Sequence, residues 1–228
     1  MNNIKENLEF SWLWVDPNNP EKQSAKWSII RMQGNEASLL HKYCKLINGN
    51  SVEVGRRYGG SLYIMASATP GTVYSIDIKS IERCIGDNKT RLKFKDKILN
   101  NLSKFSNIKM IIDRSDSVVI NDTYDLLFID SNHGYINVLG DTIHYWNNLT
   151  TYAIYHDYHT IGVKTIVDAG VACGLFKIID IAESKRDGVV QPSLVVVKKL
   201  KEIDAFLKYI PNYNIEYIYK LLSPYLDK

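Results

Sequence analysis

YDLLFIDSNHGYINVLGD, residues 124–141, runs from an apolar segment through an aspartate into a stretch with helical spacing. Leu126, Leu127, Phe128 and Ile129 follow one another without polar alternation, the pattern of a strand covered on both faces. The run stops on Asp130, and Ser131, Asn132 and His133 follow at once. A carboxylate at the end of a core strand is costly unless something there needs charge. In open α/β sheets the carboxyl edge is where ligands bind. The stretch therefore predicts a strand, a ligand-facing loop and a helix over 135–148.

Outward from it the same rhythm repeats. SVEV (51–54), TVYSIDI (72–78), NIKMII (107–112) and YAIYHD (152–157) read as further buried strands. Helical candidates fall near 60–68, 81–105, 115–121 and 161–172, after a first one from Ile29 to Ile47 that ends at the breaker NGN. Alternation of this kind predicts a doubly wound, mostly parallel α/β sheet. LFKIIDIA (175–182) and PSLVVVKK (192–199), with only a loop between them, predict an antiparallel hairpin at the sheet edge.

Composition narrows the function classes. Hydrophobic residues are 45% and charged residues 23% of 228, which allows a real core. A net charge of +3 gives no electrostatic argument for nucleic acid, whose binders usually show a basic face. No stretch approaches the ~18 apolar residues of a membrane span, and no leader peptide is visible at the amino terminus. The three cysteines are odd in number and unpatterned, so neither a metal box nor a disulfide framework is expected, and a reducing cytoplasm is the simplest home. Residues 1–30, with Trp12 and Trp14, read as an aromatic arm, 31–200 as the α/β domain, and 201–228 as a helical, tyrosine-rich tail. The aromatic arm and tail together predict a homo-oligomer.

Acids recur at the strand ends. Glu53 lies in the first strand, before the turn Gly55–Ser61 with Gly59 and Gly60. Such glycines allow close approach to the main chain and leave N–H groups at a helix start, though any tight strand-to-helix turn needs them too. An acid there suits a ligand carrying positive charge. Asp77 ends the second strand where an acid can accept hydrogen bonds from a ribose diol, or cap the next helix. Asp113 and Ser115 follow the third strand, within reach of a base edge.

These motifs together, SVEVGRRYGGS, YSIDI, DRS, YDLLFIDSNHGY and YHDY, resemble the class I S-adenosylmethionine-dependent methyltransferases over roughly residues 30–200. The branch they are most similar to holds the macrolide-sugar O-methyltransferases and cephalosporin-hydroxylase-like proteins. The resemblance implies a seven-stranded sheet with an antiparallel last strand. It implies S-adenosylmethionine as the cationic ligand, with Glu53, Gly55, Gly59, Gly60 and Ser61 near its methionine part, Asp77 on the ribose, and Asp113 and Ser115 near the adenine. Asp130 would belong to the cofactor site as well. Arg57 departs from the family, which mostly has glycine or another small residue there. In metal-dependent relatives the acid ending the fourth strand binds a divalent cation and a base follows three residues later. Asp130 and His133 match that spacing, and Asp157 matches a second metal carboxylate. Oxygen ligands at strand ends suit Mg²⁺; His156 is either a nitrogen ligand, favouring a softer metal, or an outer residue. His133 could instead cap the helix near Tyr135. Asp141 and His144 read as surface or outer residues, His159 as part of the loop over the site.

The resemblance thus implies an O-methyltransferase acting on a small-molecule hydroxyl, such as that of a sugar or glycan precursor. Two other readings compete. A non-catalytic S-adenosylmethionine-binding protein of the same fold would not need Asp130, His133 and Asp157 together. A nicotinamide-dependent oxidoreductase is disfavoured by Glu53, by Arg57 in place of the Gly-x-Gly spacing, and by the terminal hairpin.

Overall fold

A computed structural model of the chain describes residues 8–16, 19–23, 29–86, 92, 95–186 and 188–206. Most of the aromatic tail (207–228), and residues 89–91 and 93–94 of KTRLKFKDK (89–97), whose charges read from the sequence as the solvated side of a helix, lie outside the described residues. Seven strands form one sheet: β1 (Ser51–Val54), β2 (Val73–Asp77), β3 (Ile108–Ile112), β4 (Tyr124–Ile129), β5 (Leu149–His156), β6 (Phe176–Arg186) and β7 (Val189–Lys199). Their spatial order is β3-β2-β1-β4-β5-β7-β6. The first five are parallel; β7 runs antiparallel to both β5 and β6. The doubly wound sheet with a terminal antiparallel hairpin is thus present.

Strand alternation sorts the core into two layers. In β4, Leu126 and Phe128 face one side, with Ile154 of β5 and Val196 of β7. Leu127 and Ile129 face the other, with Tyr155, Val195 and Val197. The first layer is covered by α1 (Gly34–Leu46), α2 (Gly60–Ala68), α3 (Ile81–Gly86) and α4 (Lys95–Leu102), the second by α5 (Tyr135–Trp146) and α6 (Ile161–Ala172). In β1 the second layer receives Val52 and Val54, which leaves Ser51 and Glu53 on the first. A polar pair in a buried strand is the first sign that this end of the sheet does something other than pack.

Three expectations change. The segment 115–121 holds one 3₁₀ turn, Ser115–Ser117, because Val118 and Ile120 are drawn into the second layer as irregular cover. Within 81–105 the helices α3 and α4 agree with the helical expectation, and 87–91 and 93–94 lie outside the described residues. The hairpin strands are longer than 175–182 and 192–199, and the turn between them shorter. Pro192, which cannot donate to a ladder, is accommodated in β7 opposite Glu183 at a register shift between Ala182 and Glu183. The aromatic arm folds inward: Phe10 and Trp14 are buried, and Trp14 Nε1–H donates to the carbonyl of Met32 at 2.8 Å. Those two side chains are therefore not available as an oligomer contact. Among the described residues no helix is long and apolar enough to cross a membrane.

Candidate functional site

The carboxyl ends of β1, β2, β4 and β5 open into a cavity of about 820 Å³. Its floor is the turn after β1. Gly55 takes φ +97, and a Cβ there would stand 2.3 Å from the carbonyl oxygen of Asp130, so the ends of β1 and β4 touch main chain to main chain. Arg57 also has a positive φ of 50. The backbone thus keeps a glycine-like conformation at the position where the family resemblance expects glycine, at the steric cost an L-residue bears there. Arg56, almost fully buried, donates from Nη1 to the carbonyl of Ser75 at 2.6 Å and from Nη2 to that of Lys79 at 3.1 Å, tying β1 to the end of β2.

Asp77 lines the cavity and accepts the N–H of Arg57 (2.8 Å) on one oxygen and that of Lys79 (2.9 Å) on the other. The helix-capping alternative fails, because Ser80 caps α3, its hydroxyl oxygen accepting the Arg83 N–H at 3.2 Å; Asp77 holds the turns before it, and each of its oxygens keeps a second lone pair for a ligand. Gly55, Gly60, Ser61, Asp113, Ser115 and Asp130 also line the cavity. Glu53 does not. It has no exposed surface, and Ser61 and Ser75 both donate to its carboxylate from opposite sides. The expected ligand contact is replaced by a place one layer below, from which Glu53 holds Ser61 at the cavity wall. Gly59, with φ +81, caps α2 in the left-handed region and likewise does not line the cavity.

Burial pushes the Glu53 carboxyl up to about 7, against which the two serine hydroxyls pull only partly. An acid whose pKa is raised on folding makes the folded state hold more protons. Its contribution is therefore full below the ordinary value of 4.5 and is lost as pH rises towards about 7. The loss is on the order of 3 kcal/mol. The Glu53→Gln variant, denatured in parallel with the parent protein at pH 5 and pH 8, is expected to lack that part of the slope. Parallel pH profiles for the two proteins would show that Glu53 is ionised throughout.

Four side chains converge at the ends of β4 and β5. Asp130, His133, His156 and Asp157 each offer one ligand atom, all within 4.8 Å of one another. His156 Nδ1 lies 2.9 Å from Asp130 Oδ1 and 3.3 Å from Asp157 Oδ2; His133 Nε2 lies 3.1 Å from Asp157 Oδ2 and 3.5 Å from Asp130 Oδ1. Local structure explains the convergence. His156 follows Ile154 by two residues and so faces the first layer, where its ring packs edge-on against Phe128 at 6.4 Å. Asp157 turns back with φ +52, a strained conformation for a residue other than glycine and one that clusters at functional sites. The turn is held by Thr160, whose N–H and hydroxyl both donate to the Asp157 carbonyl at 2.8 Å. The His133 loop is fixed by Asn132, whose side chain accepts the Gly134 N–H (2.9 Å), and by Gly162 of α6, where a Cβ would meet the His133 carbonyl at 2.2 Å.

The cluster can be held together in two ways. Ligand bonds of about 2.1 Å put neighbouring donors about 3.0 Å apart at right angles and about 3.4 Å apart at tetrahedral angles. The edges around His156 and His133, from 2.9 to 3.5 Å, match that span to about 0.1 Å, so the residues fit a divalent cation. The same spacings serve a protonated imidazole. Without an ion, burial works against charge on His156, but Asp130, Asp157 and Glu36 outweigh it and raise the imidazole well above 6.5. Burial likewise works to raise the Asp130 carboxyl, and the two imidazoles reverse that and hold it low. His133 is raised, chiefly by its bond with Asp130.

Two polar residues here, Glu36 and Asn137, escaped the sequence reading, and a third, Asp141, was open between surface and outer residue. Glu36, in the first turn of α1, is fully buried with Oε1 3.5 Å from His156 Nε2. Its only sequence signal is a capping-box spacing from Gln33, which marks a helix start and not a site. Asp141, expected to be a surface or outer residue, is buried in the cavity wall, receives a hydrogen bond from Ser131, and is pushed up by burial. Asn137, one turn before it, lines the cavity as well. His144 bonds the Val118 carbonyl (2.6 Å) and is structural; His41 packs edge-on against Phe10. His159 comes within 3.7 Å of Asp157 Oδ1 without lining the cavity.

Sheet order, hairpin and cavity position together define the fold of the class I S-adenosylmethionine-dependent methyltransferases, and solved structures bear this out. The O-methyltransferase TomG from Streptomyces achromogenes, involved in tomaymycin synthesis and solved with S-adenosylmethionine, superposes with a TM-score of 0.59 at 11% identity over 86% of this chain and 92% of its own. An O-methyltransferase from Bacillus cereus in complex with SAH gives 0.55 at 10% identity, covering 74% and 82%. An rRNA methylase from Streptococcus thermophilus gives 0.53 at 12%, covering 73% and 97%. No protein-family profile and no curated protein sequence matches the chain.

Proposed function

We propose that this protein is an S-adenosylmethionine-dependent O-methyltransferase, assisted by a divalent cation, that methylates a hydroxyl of a small molecule such as a sugar or glycan precursor. The observation that carries the reading is the placement of Asp130, His133, His156 and Asp157 in the wall of the same cavity whose other wall is the Gly55–Ser61 turn and Asp77. Cofactor binding alone gives no reason for two carboxylates and two imidazoles to converge there. The rRNA methylases among the structural neighbours do not shift this reading towards nucleic acid, because the net charge of +3 supplies no electrostatic footprint for it.

Asp130, Asp157 and His156 would hold the cation, Mg²⁺ or another divalent ion. Bound there, it supplies Lewis acidity that lowers the pKa of an acceptor hydroxyl. His133 is the most exposed of the four, 37% against 22% or less for the others, and takes the hydroxyl proton as general base. S-adenosylmethionine, when bound, would supply the methyl group: the acceptor oxygen would gain an O–CH₃ bond as the S–CH₃ bond breaks and its electron pair stays on sulfur as the neutral thioether. Asp77 would hold the ribose and Asp113 and Ser115 the adenine end of the cofactor.

Calorimetric titration with S-adenosylmethionine and with NAD, each with and without a divalent cation, tests the reading. Binding of S-adenosylmethionine and not NAD is expected; the reverse would overturn it. Asp77→Ala is expected to weaken S-adenosylmethionine by at least several-fold, since loss of a hydrogen-bond partner to a buried ribose costs about 1–3 kcal/mol. An unchanged dissociation constant would leave Asp77 only its role of holding the Arg57 and Lys79 N–H groups.

A further inference from the structure

Glu36 has no place in that chemistry, yet it is fully buried. A capping-box glutamate needs no burial: its Oε2 accepts the Gln33 N–H at the start of α1, a task ordinarily done in water. Burying a carboxylate costs several kcal/mol unless it is paired. Among the described residues its only cationic partner within ion-pair distance is His156, whose Nε2 stands 3.5 Å from Glu36 Oε1. Among the described residues His156 Nε2 in turn has no other ion-pair partner; its Nδ1 faces Asp130 at 2.9 Å and Asp157 at 3.3 Å.

We propose that Glu36 is a positioning residue that takes the Nε2–H of His156, so that the Nδ1 lone pair points into the Asp130–Asp157 pocket and makes the site selective for cations that accept nitrogen, such as Mn²⁺ or Co²⁺, over Mg²⁺. The inference rests on the cation-assisted reading above and says which cation and why. The two ring nitrogens of a histidine are not equivalent: the partner of one decides what the other can do. A carboxylate behind the imidazole fixes its tautomer and ring angle and raises its basicity towards a metal. An imidazole in the ligand set favours first-row transition ions, whereas Mg²⁺ prefers oxygen throughout. Position supports the assignment. His156 and Glu36 meet because β5 presents its first-layer face to the first turn of α1, and α1 is itself anchored to β6 through Gln33 and the carbonyl of Lys185 (2.9 Å). The dyad is thus braced from both sides.

The test uses the full chain and the metals alone: calorimetric titration with Mn²⁺ and Mg²⁺, and the visible absorption of bound Co²⁺ as a signature of nitrogen ligation. The parent protein is expected to bind Mn²⁺ more tightly than Mg²⁺. Glu36→Gln keeps an oxygen for the Gln33 N–H, so the helix cap survives, and is expected to lose about 10–100-fold in Mn²⁺ affinity. Its Mg²⁺ affinity should change much less. His156→Asn replaces the nitrogen by an oxygen donor and is expected to invert the preference and change the Co²⁺ spectrum, which gives a second reading if the first variant folds poorly. Glu36→Gln with a lowered melting temperature and unaltered metal affinities would make Glu36 a helix cap only, and equal losses for both metals would remove the selectivity argument. If the parent protein binds no divalent cation, the cation-assisted reading falls and this inference with it. If it binds cations that neither substitution disturbs, this inference alone falls.

Discussion

Alanine at position 133 is expected to lower methyl transfer by about 10²–10⁴-fold, the usual span for a lost general base, with S-adenosylmethionine affinity nearly unchanged. The reasoning is geometric. His133 stands at the open side of the cluster, 3.1 Å from Asp157 and 3.5 Å from Asp130, on a loop clamped by Asn132 and by the close pass of Gly162. Losing the ring leaves that main-chain clamp in place, because it involves the His133 carbonyl and not the imidazole. The two neighbouring carboxylates hold the imidazole above its ordinary value in the ion-free protein; a bound cation offsets their charge and returns His133 towards the neutral form a base requires. The His133 imidazole titration, followed by NMR with and without cation, should therefore move to lower pH when the cation is present. Full turnover in the alanine variant would reduce His133 to a loop residue.

Removal of the cation is expected to have the larger effect. EDTA should abolish turnover and excess divalent cation restore it, while the fold, which does not depend on the cluster for its core, stays intact. Asp157→Asn is the sharper probe. Asparagine tolerates the φ of +52 found at this position, where alanine would add strain to the loss of the carboxylate. Cation affinity is expected to fall by about 10²-fold or more, beyond what changes in an outer residue usually cost. Turnover that survives both EDTA and Asp157→Asn would show that the cluster is a hydrogen-bonded assembly closed by a protonated His156.

Sequence alone determined the sheet. Unbroken apolar runs of strand length, each separated from the next by a helical stretch, admit few arrangements other than a parallel sheet covered on both faces, and the two runs joined by a turn could pair only as a hairpin. The acids at the ends of those runs were legible for the same reason, since a strand boundary marks where charge first becomes tolerable. What alternation along a single strand cannot tell is what stands opposite. Glu53 reads as a ligand residue until the second-layer position of Val52 and Val54 assigns it to the buried face under Ser61 and Ser75. Asp141 reads equally as a surface or an outer residue until the cavity opens against it and Ser131 bonds it. Glu36 lies 120 residues before His156, in a first turn whose spacing describes a helix start and nothing more. Contacts between side chains that far apart are set by which layer each element enters and how far each reaches, and only the packed tertiary structure decides that.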